Sequence, residues 1–219
     1  MRHTTGYSYW TNQTSPVRQY PWLASDERCE VLVLGGGLTG ALLGYRFAGD
    51  GNDVCVVSRL PVGYGATAFG SGILEYDGNL SLVQLGKSIG RQAAVEYLER
   101  CRDALDSIEA LCEELSADAG FQRRDILSYT SDGNHGDFFH TEYLVRRHNG
   151  FEIEYLDRAA TRDHYSFPVE DGILSAGMGA ELDPYRFTQA LMDRASREYG
   201  LRCYENTEAV SIDLSNGKV

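Results

Sequence analysis

Apolar positions along this chain change period several times, and each change marks an element. Val31-Leu32-Val33-Leu34 forms the apolar centre of a run from Cys29 to Leu34 and predicts a buried strand. From about Thr39 to Ala48 the spacing becomes helical, and Gly49-Asp50-Gly51-Asn52 is a dense turn signal that ends this helix. Asp53 to Ser58 is again apolar and β-branched. A strand, a helix and a strand at this spacing predict a βαβ unit with parallel strands and a right-handed crossover.

Further along, Leu82, Leu85, Ile89, Ala93, Val95, Leu98, Cys101, Leu105, Ile108, Leu111 and Leu115 keep helical spacing, interrupted by Gly86 and Gly90. One long helix or two broken ones are expected. Residues from about 120 to 180 are mixed, with short strand candidates at 126–129, 151–156 and 172–176, which suggest an antiparallel layer inserted into the first domain. Asp183-Pro184 reads as a helix start, and Tyr185 to Tyr199 is helical up to Gly200. Leu201–Glu205 and Glu208–Asp213 read as strands. Internal repeats and low-complexity segments are absent from the sequence.

Ahead of the first strand, residues 1 to about 27 are polar yet carry Tyr7, Tyr9, Trp10, Tyr20, Pro21 and Trp22. That is too aromatic for a free tail, so an arm packed on the body is expected. Composition adds limits rather than an identity. With 42% hydrophobic and 24% charged residues among 219, the chain reads as globular, with one large or two small domains. A net charge of −12 and the lack of any basic block argue against nucleic acid and anionic membrane surfaces as partners. Cys29, Cys55, Cys101, Cys112 and Cys203 are odd in number and scattered, without C-x-x-C spacing. Core packing of reduced thiols is expected for them. No apolar signal region follows Met1 and no stretch is apolar enough to span a bilayer, so a cytoplasmic location is expected.

The chemistry concentrates where the first strand stops. Gly35-x-Gly37-x-x-Gly40 places one glycine in a tight turn, a second where backbone must approach a pyrophosphate, and a third where helix and strand pack closely. Unpaired N–H groups at the helix start then favour phosphate charge. The second strand ends at Ser58-Arg59 instead of the Asp or Glu that accepts hydrogen bonds from an adenosine ribose. A serine hydroxyl still bonds a ribose, and Ser-Arg also suits a 2′-phosphate, so this turn alone leaves flavin and NADP both open. Gly63 to Gly72 is a run of small residues that permits close backbone approach to a ligand or forms a flexible loop.

Gly35-Gly36-Gly37-Leu38-Thr39-Gly40, Arg59, Gly65-Ala66-Thr67-Ala68, Gly72-Ile73-Leu74 and Asp183-Pro184-Tyr185-Arg186-Phe187, in this order, resemble the FAD-dependent amine and D-amino acid oxidase family. The Tyr9-Trp10 arm resembles that of its bacterial amine-oxidising members, and the likeness runs from Tyr9 to Ile212. The resemblance implies an α/β fold: a Rossmann-like FAD-binding domain of the GR2 flavoprotein type with an inserted α+β substrate layer. It implies the arm at 1–27, an FAD-binding region with following helices at 28–120, a partial substrate domain at 121–182 and a return to the FAD domain at 183–219. By the same resemblance, Gly35, Gly36, Gly37, Thr39 and Gly40 hold the FAD pyrophosphate, and Ser58 and Arg59 border the adenosine ribose. Gly65, Ala66, Thr67 and Ala68 line the pyrophosphate and ribityl chain, Gly72 and Ile73 approach the isoalloxazine, and Val210 meets the adenine through its backbone.

The implied activity is oxidation of an amine or amino acid, with hydride passing to the flavin. Family members continue beyond the equivalent of Val219, so the chain resembles an N-terminal portion, with a second polypeptide as one way to complete the fold. An NADP-dependent reductase and a non-catalytic FAD-binding fragment or subunit are the competing readings. Among other constellations, Asp132, His135, Asp137 and His140 have the residue types of a metal site. Gly133, Asn134 and Gly136 interleave them as in a solvated loop, which is the expected reading. Glu75 and Tyr76 are candidates to face the flavin, with packing or surface roles expected, and Asp163-His164 reads as a surface pair. No nucleophile elbow, Walker pattern or Cys–His arrangement is present, and no residue carries a catalytic assignment.

Overall fold

A computed structural model describes all residues except 1–6, 79, 116–117, 162–164, 214, 216 and 218. The Asp163-His164 pair lies outside the described residues. In chain order the elements are α1 (Tyr9–Gln13), β1 (Val31–Leu34), α2 (Leu38–Gly49), β2 (Val54–Val57), a 3-10 turn (Ala66–Phe69), β3 (Ile73–Glu75), α3 (Leu82–Ile89), α4 (Arg91–Leu115), β4 (Gln122–Thr130), α5 (Gly136–His148), β5 (Glu154–Asp157), α6 (Arg158–Thr161), β6 (Asp171–Glu181), α7 (Pro184–Glu198) and β7 (Arg202–Tyr204). They fall into two compact units. One comprises Met1–Gly72, Cys112–Gly120 and Asp183–Val219, the other Ile73–Leu111 and Phe121–Leu182.

The first unit is built on a parallel sheet in the order β1-β2-β7. β1 pairs with β2 in parallel from Val31↔Val54 to Leu34↔Val57, as the βαβ pattern predicts. β7 then adds to the other edge of β2, also in parallel. All four residues of the central strand β2 are buried. β1 stands at an edge, and there Leu32 and Leu34 are 37% and 45% exposed. α7 begins where the sequence indicates: the Asp183 carboxylate accepts from the N–H groups of Tyr185 and Arg186 at 2.9 and 3.0 Å, with Pro184 in the first turn. Its inner face buries Tyr185, Phe187, Leu191, Met192 and Ala195.

The described part of the aromatic segment ahead of β1 is tied to this unit between Ser8 and Glu27. Trp10 Nε1 donates to the Gly70 carbonyl at 2.9 Å, and Arg186 Nε to Thr14 Oγ1 at 2.6 Å. The Tyr20 N–H donates to Glu205 Oε2 at 3.1 Å, and Glu27 pairs with Arg202 at 2.5 Å. The described part of the arm is held by these bonds, with Tyr20 buried while Tyr7, Tyr9 and Trp22 stay exposed.

The second unit carries an antiparallel sheet. β6 is its spine, paired with β4 along one edge and with β5 and β3 on the other. Its core holds Tyr76, Leu82, Ala94, Val95, Leu98, Phe151, Ile153 and Ile173. The long apolar pattern resolves into two helices, because Gly90 takes φ +90° between α3 and α4, a conformation side-chain-bearing residues rarely adopt. β4 and β6 are longer than their apolar centres suggest, and the candidate at 151–156 begins as a strand only at Glu154, with Phe151 and Ile153 already buried ahead of it.

Two expectations are corrected. Glu208–Asp213 forms no strand beyond an isolated bridge at Asp213, and Val210 is 88% exposed. Alternation alone makes no strand, since each N–H and C=O needs a neighbour in the ladder and no described strand pairs with this stretch. The second correction is α5, a helix within the stretch read as mixed. Its buried residues are Glu142 and Arg146, a charged pair that an apolar search passes over.

Candidate functional site

The residues proposed to touch a cofactor, apart from Ile73, all lie in the first unit. The turn between β1 and α2 is built by its glycines. Gly35 takes φ +109° and donates its N–H to the Val57 carbonyl at 2.8 Å, closing the end of the β1–β2 ladder. A Cβ on Gly36 would come within 2.9 Å of Ser58 Cβ, and one on Gly40 within 1.9 Å of the Gly35 carbonyl oxygen. Gly40 is therefore the position where helix and turn share the same space. Gly37 caps α2 in extended conformation, and a Cβ there would lie 3.2 Å from Thr67 Oγ1.

The first turn of α2 carries no acidic residue, so the positive end of the helix dipole is not neutralised locally. Its leading N–H groups lack intrahelical acceptors, as at every helix start. One of them, on Leu38, donates to Thr67 Oγ1 at 2.9 Å. Thr67 sits in the 3-10 turn Ala66–Phe69, so this bond joins the small-residue segment to the glycine turn. Bare glycine backbone at a helix start whose leading N–H groups have no helical acceptors suits a pyrophosphate, and the residues present fit that group.

At the end of β2, Ser58 is buried against Gly36. Its N–H donates to the Tyr204 carbonyl at 2.8 Å and its own carbonyl accepts from Thr207 at 2.9 Å. Arg59 is exposed and lies 3.4 Å from Glu208. This pairing places a carboxylate beside Arg59, the cation that a Ser-Arg end to the strand offers to a 2′-phosphate. Gly72 ends the first unit, and Ile73 opens β3 of the second, 61% exposed and paired with Glu181.

Several supporting residues were not singled out from the sequence. Glu205, 5% exposed at the end of β7, accepts from Val62 N–H at 2.7 Å and from Tyr20 N–H at 3.1 Å. Gln189, buried on α7, donates to the Val62 carbonyl at 2.8 Å. Together they fix the backbone entering the small-residue segment. Tyr185 serves the same segment by packing: a Cβ on Gly63 would come within 2.7 Å of its ring, and the Tyr64 ring meets it edge-on at 5.6 Å. Burial, then the neighbouring Tyr64, pushes the Tyr185 phenol up, so it stays neutral. The Asp-Pro-Tyr-Arg-Phe motif is thus a brace: Asp183 caps, Tyr185 packs on Gly63, and Arg186 reaches the N-terminal arm. The available signal was position, since Glu205 stands at the carboxyl end of a parallel strand, where ligand sites of open α/β sheets gather.

The remaining constellations resolve into structure. Asp132 bonds the Asn134 N–H at 2.7 Å and His135 Nδ1 at 3.2 Å in an exposed turn, and the Asn134 N–H chiefly holds its carboxyl below the usual range. His140 packs its ring on Tyr155 at 5.5 Å. Among the described residues no group of three or more His, Cys, Asp or Glu is arranged to hold a metal ion, and no helix is long and apolar enough to cross a membrane. Tyr76 is 1% exposed in the core of the second unit, with Arg146 donating to its hydroxyl at 2.5 Å. None of the five cysteines forms a disulfide, and Cys55, Cys112 and Cys203 are buried.

Residues 30–219 match the family described as DAO, FAD dependent oxidoreductase. The chain belongs to this family. Its cofactor is FAD, which decides between the two nucleotides that the glycine turn left open. Among curated relatives, YhfW of Bacillus subtilis (strain 168), which carries the name of a Rieske 2Fe-2S iron-sulfur protein, is 25% identical over 96% of this chain and 40% of its own length. Gamma-glutamylputrescine oxidoreductase of Escherichia coli (strain K12) is 23% identical over 96% of this chain and 49% of its own. Among solved structures, glycine oxidase from Bacillus cereus ATCC 14579 superposes with a TM-score of 0.63 at 19% identity, over 88% of this chain and 50% of that one. The DAO chain described here spans about half the length of these relatives.

Proposed function

We propose that this chain forms the FAD-binding part of an oxidoreductase that oxidises the C–N bond of a small amine or amino acid. The observation that carries the reading is the glycine turn itself. Gly36 and Gly40 let the turn pack closely on Ser58 and on its own backbone, Gly35 and Gly37 leave bare backbone at the start of α2, and the Leu38–Thr67 bond brings the small-residue segment beside it. Bound FAD supplies the hydride acceptor for the substrate C–H. In this reading Gly35 to Gly40 hold the pyrophosphate through backbone N–H groups, Thr39 lies in the same first helical turn, and Gly65 to Ala68 line the ribityl side. Ser58 and Arg59 border the adenosine, while Gly72, Ile73 and Val210 are assigned to the ring system and adenine by family likeness.

The substrate class rests on the relatives, whose names give glycine and gamma-glutamylputrescine. A second strand-bearing segment is proposed to cover β1, on the same polypeptide or another. β1 pairs with no described strand on its outer edge, and Leu32 and Leu34 expose apolar surface on one face of it, which a covering segment would bury. The odd, scattered set of five cysteines favours the cytoplasm as the working compartment.

The test is the visible spectrum of the purified chain after incubation with FAD, followed by anaerobic addition of glycine, L-proline or a primary amine. A bound flavin band that bleaches with one of these supports the reading. Bound flavin that no amine bleaches favours the non-catalytic alternative, and absence of uptake overturns the cofactor site.

A further inference from the structure

We propose that the N-terminal aromatic arm is a positioning element for the flavin site, with Ser8 and Trp10 as its working residues. The proposal rests on the reading of Gly65–Ala68 as cofactor-lining backbone. Ser8 is 6% exposed, and its hydroxyl donates to the Ala68 carbonyl. Two residues on, Trp10 Nε1 donates to the Gly70 carbonyl at 2.9 Å. Both acceptors belong to the 3-10 turn and its cap, and the arm reaches them across sixty residues of sequence.

The location of these bonds sets them apart from ordinary surface packing. A 3-10 turn of four residues has little stability of its own, because its hydrogen bonds are poorly aligned and few. This one is held internally by Ala68 N–H to the Gly65 carbonyl at 3.1 Å and by Gly70 N–H to the Thr67 carbonyl at 3.3 Å. The arm supplies two further bonds from outside, to the carbonyls of Ala68 and Gly70. From the same turn, Thr67 Oγ1 accepts the Leu38 N–H at the start of α2. The arm therefore acts through Ala68 and Gly70 on Thr67, and through Thr67 on the glycine turn. On its other side the arm is anchored by Arg186 Nε on Thr14 Oγ1 at 2.6 Å, an Arg of the same helix whose Tyr185 packs on Gly63. Tyr9 sets its ring edge-on to Trp10 at 4.9 Å, which fixes the indole orientation.

The arm's contribution is preorganisation. A loop held in its binding conformation before the ligand arrives loses less conformational freedom on binding. Removing one holding bond should therefore speed flavin loss more than it slows flavin entry.

The experiment uses the whole chain with FAD as the probe, comparing Trp10→Phe, Ser8→Ala, Ser8→Thr and Gly37→Val. Flavin dissociation is followed by recovery of free-flavin fluorescence, and hydrogen exchange of the amides in residues 66–70 is read without FAD. Trp10→Phe keeps an aromatic ring and deletes the donor. It should raise the dissociation rate about fivefold, the equivalent of one ordinary hydrogen bond, and speed exchange across 66–70. Ser8→Ala should do the same, and Ser8→Thr, which restores the hydroxyl, should return both readings toward those of the unmodified chain. Unchanged dissociation and exchange in Trp10→Phe and Ser8→Ala, with flavin binding lost in Gly37→Val, would overturn the inference and leave the cofactor site standing. Flavin binding retained in Gly37→Val overturns the site reading itself.

Discussion

The hydroxyl of Thr67 accepts the backbone N–H of Leu38 at 2.9 Å, across 29 residues of sequence. That bond satisfies one of the four N–H groups that the start of α2 leaves without a helical partner, and it holds the small-residue segment against the glycine turn. Replacing Thr67 with Val keeps the shape and removes the acceptor. We expect FAD affinity to fall about tenfold, roughly the worth of one hydrogen bond that holds the small-residue segment in its binding position. A fluorescence titration giving a dissociation constant within twofold of the unmodified chain would contradict this role.

The glycines of the turn should separate folding from binding. An Ala at Gly40 puts a methyl 1.9 Å from the Gly35 carbonyl oxygen, and neither backbone atom can rotate away. Gly40→Ala should lower stability by about 1–3 kcal/mol or more, visible as a reduced thermal midpoint without any cofactor. A Cβ at Gly37 would meet the Thr67 hydroxyl at 3.2 Å, a tight contact that a small shift of that side chain relieves, on a backbone that tolerates side chains. Gly37→Val should fold with a near-normal midpoint and lose FAD. If both variants melt early by the same margin, the division of labour between the two glycines is wrong.

Acid sensitivity should originate in the second unit. The Glu142 carboxylate accepts from Ser81 Oγ, Leu82 N–H and Val83 N–H and pairs with Arg146 at 2.6 Å, while Arg146 also meets Asp77 at 2.9 Å. Burial alone would raise the Glu142 pKa, but Arg146 and these donors outweigh it and hold the carboxyl below the usual range. A folded value below the unfolded one gives stability that is fully present above the unfolded value and fades as pH falls through the folded value. Stability should therefore decline below about pH 4.5, and Glu142→Gln should be less stable at neutral pH with a shallower acid decline. Glu142→Ala should cost about 3 kcal/mol, near the lower end for breaking a buried pair, since Asp77 remains on Arg146. Denaturant melts at pH 7 and pH 4 provide the check, and parallel declines in Glu142→Gln and the unmodified chain would refute it.

The thiols should be structural. Burial pushes Cys55 up to about 11 and raises Cys203 as well. At pH 8 only about one Cys55 in a thousand is then thiolate, the reactive form. Iodoacetamide should label the half-buried Cys29 and Cys101 first and leave Cys55 and Cys203 unmodified until the chain unfolds. Mass spectrometry of a labelling time course reads this directly, and equal rates at Cys203 and Cys29 would overturn it.

What the sequence determined by itself is the local core of the first unit. Glycine spacing, apolar runs and the Asp183-Pro184 start are short-range signals, because a tight turn, a buried strand and a helix cap each depend on residues within a few positions. For that reason β1, α2, β2 and α7 lie close to where the pattern puts them. Other outcomes needed the tertiary structure. α5 buries Glu142 and Arg146, whose burial is tolerable only because Ser81, Leu82, Val83 and Asp77 converge from elsewhere in the chain. Glu208–Asp213 has strand-like alternation, yet a strand is a property of its neighbour as much as of its own residues, and no described strand pairs with it. The same holds for the turn at Thr67 and the arm at Trp10. Their hydrogen-bond partners lie 29 and 60 residues away, so folding alone brings them together.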